Sequence, residues 1–224
     1  MSESGYIDND AWKIYPHSSL LFVAPSRGGK TFLCKKLIEN LADIFHPPKI
    51  EKILYCFSRW QPLYDEMQQA FDNIEFKEGI PDKEYVEAFA RDSEGALILD
   101  DLMIPLFNNK DLANFFLVDS HHLNLTIIAL TQSLYNQGKF SRNIILNVCY
   151  FFLLNQTHDS AQYHILFSRM FPGKKESWTK LFDEVFSQPY RYIMVDAHPA
   201  QKFKDIRLRA NLFKDEEKLV IYKI

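Results

Sequence analysis

Short apolar runs alternate along this chain with longer stretches in which apolar positions recur at helical spacing. The runs at residues 20–24, 52–57, 96–100, 126–130, 149–154 and 190–196 predict strands, and several are apolar throughout, as strands covered on both faces should be. Between them the pattern predicts helices at residues 30–45, 62–71, 82–91, 111–121, 159–171 and 178–186. Strands and helices taking turns in this way indicate an α/β fold, built on a mainly parallel central sheet flanked by helices. The chain breakers agree with these limits. His46-Pro47-Pro48 stops the first helix, and Gly79-Ile80-Pro81 separates a short extended piece from a helix that Asp82 can cap. The charged, alternating tail at 203–224 predicts an edge hairpin or a contact between subunits, and no internal repeat or low-complexity tract is visible. The resulting map is an N-terminal extension over 1–17, one domain over 18–199, and a C-terminal tail or edge segment over 200–224.

The first predicted strand runs into a small-residue turn and then a helix: Leu20-Leu21-Phe22-Val23-Ala24-Pro25-Ser26-Arg27-Gly28-Gly29-Lys30-Thr31. This is the G-x-x-x-x-G-K-[ST] pattern of a P-loop, with Ala24 at the first glycine position. Backbone N–H groups across Ser26, Arg27, Gly28, Gly29, Lys30 and Thr31 would curl around nucleotide phosphates. Lys30 would reach the β- and γ-oxygens, the Thr31 hydroxyl would sit on Mg²⁺, and the helix N-terminus would add its partial positive charge. A methyl group at position 24 is tolerable where the backbone stays at negative φ, while the crowded positions keep Gly28 and Gly29. A chance Lys-Thr after a glycine turn would not need a strand before it and a helix after it.

Two further strand ends fit the same chemistry. Ala96-Leu97-Ile98-Leu99-Asp100-Asp101 is an apolar run that ends in two carboxylates, some seventy residues after the P-loop. Asp100 would hold Mg²⁺ through water, and Asp101 could polarise the attacking water as general base, although many P-loop ATPases place Glu there. Thr126-Ile127-Ile128-Ala129-Leu130-Thr131-Gln132 then places Gln132 at the sensor position of additional-strand P-loop ATPases, within reach of the γ-phosphate or its attacking water. An arginine is also expected to balance transition-state charge. Arg142, in Lys139-Phe140-Ser141-Arg142-Asn143, leads over Arg59, Arg169 and Arg191 because it follows the sensor strand and precedes the next one.

Composition narrows the class. The chain has 224 residues, 47% of them hydrophobic, enough for a full core. No apolar run approaches a membrane span, and Met-Ser-Glu-Ser-Gly has neither a basic nor an apolar leader region, so a soluble intracellular protein without integral membrane association is expected. A net charge of −3 argues against coating nucleic acid through bulk charge, but not against gripping DNA through a few loops. Basic residues do group at Lys174 and Lys175 and at Lys202, Lys204, Arg207 and Arg209, where a solvated surface is the plain reading. Cys34, Cys56 and Cys149 lie far apart in apolar stretches and read as reduced thiols. His121-His122 lacks the neighbours and spacing of a metal site.

With these elements in hand, the sequence resembles the genome-packaging ATPases of the FtsK/HerA superfamily, of the poxvirus and Polinton (Maverick) viral type. The resemblance spans roughly residues 18–199 and extends beyond the P-loop. Leu54-Tyr55-Cys56-Phe57-Ser58-Arg59-Trp60-Gln61-Pro62-Leu63-Tyr64 is similar to that family's aromatic strand followed by a Gln-Pro turn. Leu99-Asp100-Asp101-Leu102-Met103 looks like its acid pair, Ser120-His121-His122-Leu123-Asn124 like the segment before its sensor strand, and Ser141-Arg142-Asn143-Ile144 also fits. The resemblance implies a RecA-like P-loop NTPase fold and a homo-oligomeric ring. It also implies ATP- and Mg²⁺-dependent translocation of double-stranded DNA into a preformed capsid, with the capsid or portal vertex as partner. The location implied is the site of virion assembly in a host cell, or the virion itself, and His121 and His122 become structural or subunit-contact residues.

Three rival readings use the same residues. A P-loop kinase of a nucleoside or small molecule also needs the loop and Mg²⁺, but the buried strand ending in Asp100-Asp101 and the later Gln132 favour hydrolysis. A GTPase is disfavoured because Asn155-Gln156-Thr157-His158-Asp159 lacks the lysine of N-K-x-D and places its aspartate one residue late. A nucleotide-binding assembly protein without turnover would not need Lys30, Thr31, Asp100 and Asp101 together.

Overall fold

Nine strands share one sheet in the computed structural model, which describes residues 10–102, 107–116, 122–135, 138–156, 158–216 and 218–224. They are β1 (Ser19–Val23), β2 (Lys52–Phe57), β3 (Ile74–Glu78), β4 (Gly95–Asp100), β5 (Leu125–Thr131), β6 (Tyr150–Leu154), β7 (Tyr192–Asp196), β8 (Leu208–Ala210) and β9 (Val220–Tyr222). The order is β3-β2-β4-β5-β1-β6-β7-β8-β9. Every pairing from β3 to β6 is parallel, and β7, β8 and β9 join antiparallel. The six predicted strands are all present, and the short extended piece before Gly79 is the edge strand β3. The charged tail forms an edge hairpin, with Leu208 opposite Tyr222 and Ala210 opposite Val220.

The helices are α1 (Lys30–Glu39), α2 (Leu41–Ile44), α3 (Pro62–Ala70), α4 (Lys83–Ala90), α5 (Lys110–Asn114), α6 (Ser141–Leu146), α7 (Ala161–Met170) and α8 (Lys175–Val185). Successive strand residues point to opposite faces, so β1 feeds two cores at once. Leu21 and Val23 pack with residues of α4 and α6 to α8, whereas Leu20, Phe22 and Ala24 pack with residues of α1 to α3. That is why the run is apolar throughout rather than alternating. Asp82 caps α4 as expected, accepting from the Tyr85 N–H at 2.8 Å.

One helix boundary is corrected. The helix expected over 30–45 divides at Asn40, where the backbone leaves helical geometry and the Asn40 amide donates to the Lys36 carbonyl at 2.8 Å. A short polar side chain that bonds to its own preceding turn competes with the helical ladder. Of the helix expected over 111–121, α5 is present, and residues 117–121 lie outside the described residues.

Arg209 is not part of a solvated basic surface. It is 0% exposed, and its guanidinium donates to Asp196 Oδ2 and to the Trp12 and Ile206 carbonyls. Gln201 adds a further donor to Asp196 Oδ2 at 2.9 Å. This buried pair ties the tail to the strand beside it. Asp196→Ala strands the guanidinium charge and should cost about 3–5 kcal/mol. A thermal melt should fall by roughly 10 °C, and a fall under about 3 °C would show that the pair is not holding the tail.

Candidate nucleotide-binding site

β1 delivers the loop at Ala24, whose N–H donates to the Thr131 carbonyl at 3.2 Å, so the loop and the end of β5 start side by side. Pro25 turns the chain back, with Gly28 N–H donating to its carbonyl at 3.0 Å. Arg27 at φ 61° and Gly29 at φ 90° lie in the left-handed region and curl the backbone into the first turn of α1. A Cβ on Gly28 would stand 2.8 Å from the Ala24 Cβ and 2.9 Å from the Pro25 carbonyl oxygen, so glycine is needed there. Ala24 is fully buried and is not among the residues at positive φ. Its methyl group therefore fills core space without backbone strain.

Lys30 is 6% exposed, and its Nζ donates to the Ala24 and Pro25 carbonyls at 2.9 and 3.1 Å. Burial pushes its pKa down, opposed by the negative charges of Asp101 and Asp100. Thr31 Oγ1 donates to Asp100 Oδ2 at 3.1 Å across a sequence separation of 69 residues. The same oxygen accepts from Tyr55 and Tyr64, each at 2.8 Å. Asp100 Oδ1 is buried and has no partner among the described residues. Desolvation raises the Asp100 pKa, the two tyrosine hydrogen bonds pull it back, and Asp101 raises it further. The Thr31 hydroxyl and the unpaired Asp100 oxygen form a hard-oxygen donor set that could hold Mg²⁺.

Asp101 is exposed at φ 55°, a backbone region that Asp tolerates better than most residues. Gln132 is exposed one residue past β5, and its carbonyl accepts from Gln156 Nε2 at 2.7 Å. Register places it near the loop, since Thr131 pairs with Val23. Ser26 and Arg27 are exposed on the loop itself. Arg142 is exposed on the first turn of α6 and makes no hydrogen bond or ion pair to a loop residue among the described residues. Arg191 instead donates to Gln188 and Asn211, at 3.1 and 2.6 Å.

Three supporting side chains were not assigned from the sequence. Tyr55 and Tyr64 converge on Asp100 from β2 and α3, and Tyr163 on α7 donates to the Val23 and Leu154 carbonyls at 3.0 and 2.8 Å. In the sequence Tyr55 and Tyr64 stand only as parts of the aromatic strand and the Gln-Pro turn that follows it, with no partner assigned. Met103, Ser120, His121 and Thr157, all parts of the motifs above, lie outside the described residues, and His122 is exposed. Cys34 and Cys56 are buried and Cys149 is half-buried, all three as free thiols. No helix among the described residues is long and apolar enough to cross a membrane.

One strand, β5, separates the loop strand β1 from the acid-bearing strand β4, which is the arrangement of additional-strand P-loop proteins. The same architecture recurs in solved structures. The genome packaging NTPase B204 from Sulfolobus turreted icosahedral virus 2, in complex with AMPPCP, superposes with a TM-score of 0.58 over 93% of this chain and 98% of that chain, at 14% identity. The chain has a RecA-like P-loop NTPase fold. The cytoplasmic domain of the Thermomonospora curvata type VII secretion ATPase EccC matches 93% of this chain and 25% of its own, with a TM-score of 0.52 and 14% identity. The flagellar accessory protein FlaH from Methanocaldococcus jannaschii matches 92% of this chain and 89% of its own, with a TM-score of 0.50 and 10% identity. No protein-family model matches the sequence, and no curated protein does.

Proposed function

We propose that this chain is an ATP-hydrolysing motor subunit that moves double-stranded DNA into a preformed capsid, as in packaging ATPases of the poxvirus and Polinton type. The observation that carries the reading is the 3.1 Å contact between Thr31 and Asp100, with a second, exposed carboxylate on the next residue. The P-loop NTPase fold and the packaging NTPase among its structural neighbours support it. In this reading residues 18–199 form the ATPase domain, 1–17 an extension and 200–224 a tail. Copies assemble into a ring at the capsid or portal vertex, in the host cell where virions form or in the virion itself.

The residues divide the work. Backbone N–H groups from Ser26 to Thr31 bind the phosphates, and Lys30 leaves its two carbonyl partners to meet the β- and γ-oxygens. Thr31 and Asp100 would hold Mg²⁺, which neutralises charge on the β- and γ-phosphates. Asp101 takes a proton from water as its oxygen attacks the γ-phosphorus, the bond from that phosphorus to the bridging oxygen breaks, and ADP and phosphate leave. Gln132 orients the water. Arg142, exposed and not engaged with its own loop, would act on the site of a neighbouring subunit.

The test is steady-state ATP hydrolysis with and without linear double-stranded DNA, using Lys30→Ala as blank. Stimulation by DNA that the variant lacks is the expected result. Hydrolysis indifferent to DNA would overturn the motor, and a phosphorylated small-molecule product would replace it with a kinase. Tight ATP binding with no turnover, alone or on capsids, would leave an assembly protein.

A further inference from the structure

We propose that Tyr190 is the platform on which the base of the bound nucleotide stacks. The inference rests on the reading of the P-loop as an ATP site and adds the subsite for the other end of the ligand. The strand order β4-β5-β1-β6-β7 sets the direction. Thr31 and Asp100 fix the metal and γ-phosphate end toward β4, two strands to one side of β1. A nucleotide lying along the loop then runs its α-phosphate and base toward β6 and β7. Tyr190 stands at that end, two residues before β7 begins.

Its environment suits an open stacking face. The ring leans on the loop itself: a Cβ built on Gly29 would lie 3.0 Å from Tyr190 Cδ1 and 3.7 Å from its Cε1, with Leu154 Cδ2 beside them at 3.6 Å. Yet Tyr190 is 68% exposed, more than any other large hydrophobic side chain among the described residues. It makes no hydrogen bond or ring stack among those residues, so neither its hydroxyl nor its ring face is committed to the fold. Its backbone sits at φ 62°, a left-handed conformation that a bulky residue adopts at a cost. Strain of this kind persists where surrounding structure enforces it and gathers at ligand-binding positions. An exposed aromatic held over a phosphate loop has the chemistry to take a flat, apolar-faced nucleobase, and stacking alone tolerates any base.

The experiment measures affinity by isothermal titration for Mg²⁺ with AMPPCP, Mg²⁺ with GTP, and Mg²⁺ with inorganic tripolyphosphate. Tyr190→Asn removes the ring but accepts the left-handed backbone, and Tyr190→Phe keeps the ring and loses only the hydroxyl. A base–aromatic stack is worth about 5- to 150-fold in affinity. Tyr190→Asn should therefore weaken AMPPCP and GTP by roughly 10-fold and leave tripolyphosphate within about twofold, while Tyr190→Phe matches wild type for all three. Unchanged AMPPCP affinity in Tyr190→Asn overturns the platform. So does an equal loss for tripolyphosphate, which would mean that the ring shapes the loop. If wild-type protein binds neither AMPPCP nor tripolyphosphate, the ATP-site reading fails and this inference fails with it.

Discussion

Lys30→Ala should weaken ATP binding by about 100-fold or more, because the loop loses its buried cation, the one held inside it by two of its own carbonyls. The side chain is already inside the loop, with Nζ held by two backbone carbonyls rather than by a carboxylate. Moving it to phosphate oxygens exchanges neutral acceptors for charged ones, which adds the attraction of opposite charges to the hydrogen bonds. Burial lowers the lysine pKa, which means that the fold bears a cost for keeping this charge. Alanine should accordingly cost little stability, with a melting temperature within about 5 °C of wild type. Titration calorimetry gives the affinity, and a Kd within threefold of wild type would remove Lys30 from the phosphate site.

Asp101→Asn should separate binding from turnover. General base catalysis contributes about 10² to 10⁴ in rate, so hydrolysis should fall by that order while ATP affinity stays within about threefold. The substitution is a clean one. Asn tolerates the left-handed backbone at φ 55°, and the side chain is exposed, so no buried polar group is stranded. Asp100 keeps its bonds to Thr31, Tyr55 and Tyr64, and the metal side of the site is left intact. Phosphate release at the wild-type rate would show that the base lies elsewhere.

The sheet was legible because parallel strands buried on both faces must be apolar throughout, and each such run in the sequence became a strand. The candidate phosphate loop and acid pair stand out for a different reason: each is a run of adjacent residues, and the fold brings Thr31 of the one to Asp100 of the other. What the sequence did not reveal is which distant side chains meet. Tyr55 and Tyr64 lie 45 and 36 residues from Asp100, and their shared bond to one carboxylate oxygen depends on β2 pairing with β4 and on α3 folding over both. Local periodicity carries no information on such a convergence. Arg209 failed for the same reason, since its partners are a strand-end aspartate, a nearby turn and a carbonyl close to the N-terminus. The break at Asn40 is the opposite case, a purely local side-chain bond overlooked within a longer helical pattern.

The two ends of the sheet constrain how copies of this chain can meet. β3 carries Glu75, Lys77 and Glu78 within five residues, and β9 has three residues flanked by Lys218 and Lys223. Short edges studded with charge make poor templates for strand addition, and proteins use them to keep neighbouring sheets from fusing. In the proposed ring a second copy would find no long apolar edge strand among the described residues to extend, and its contacts would fall to helices and loops. Such joints can open, rotate and close again without unpicking a backbone ladder.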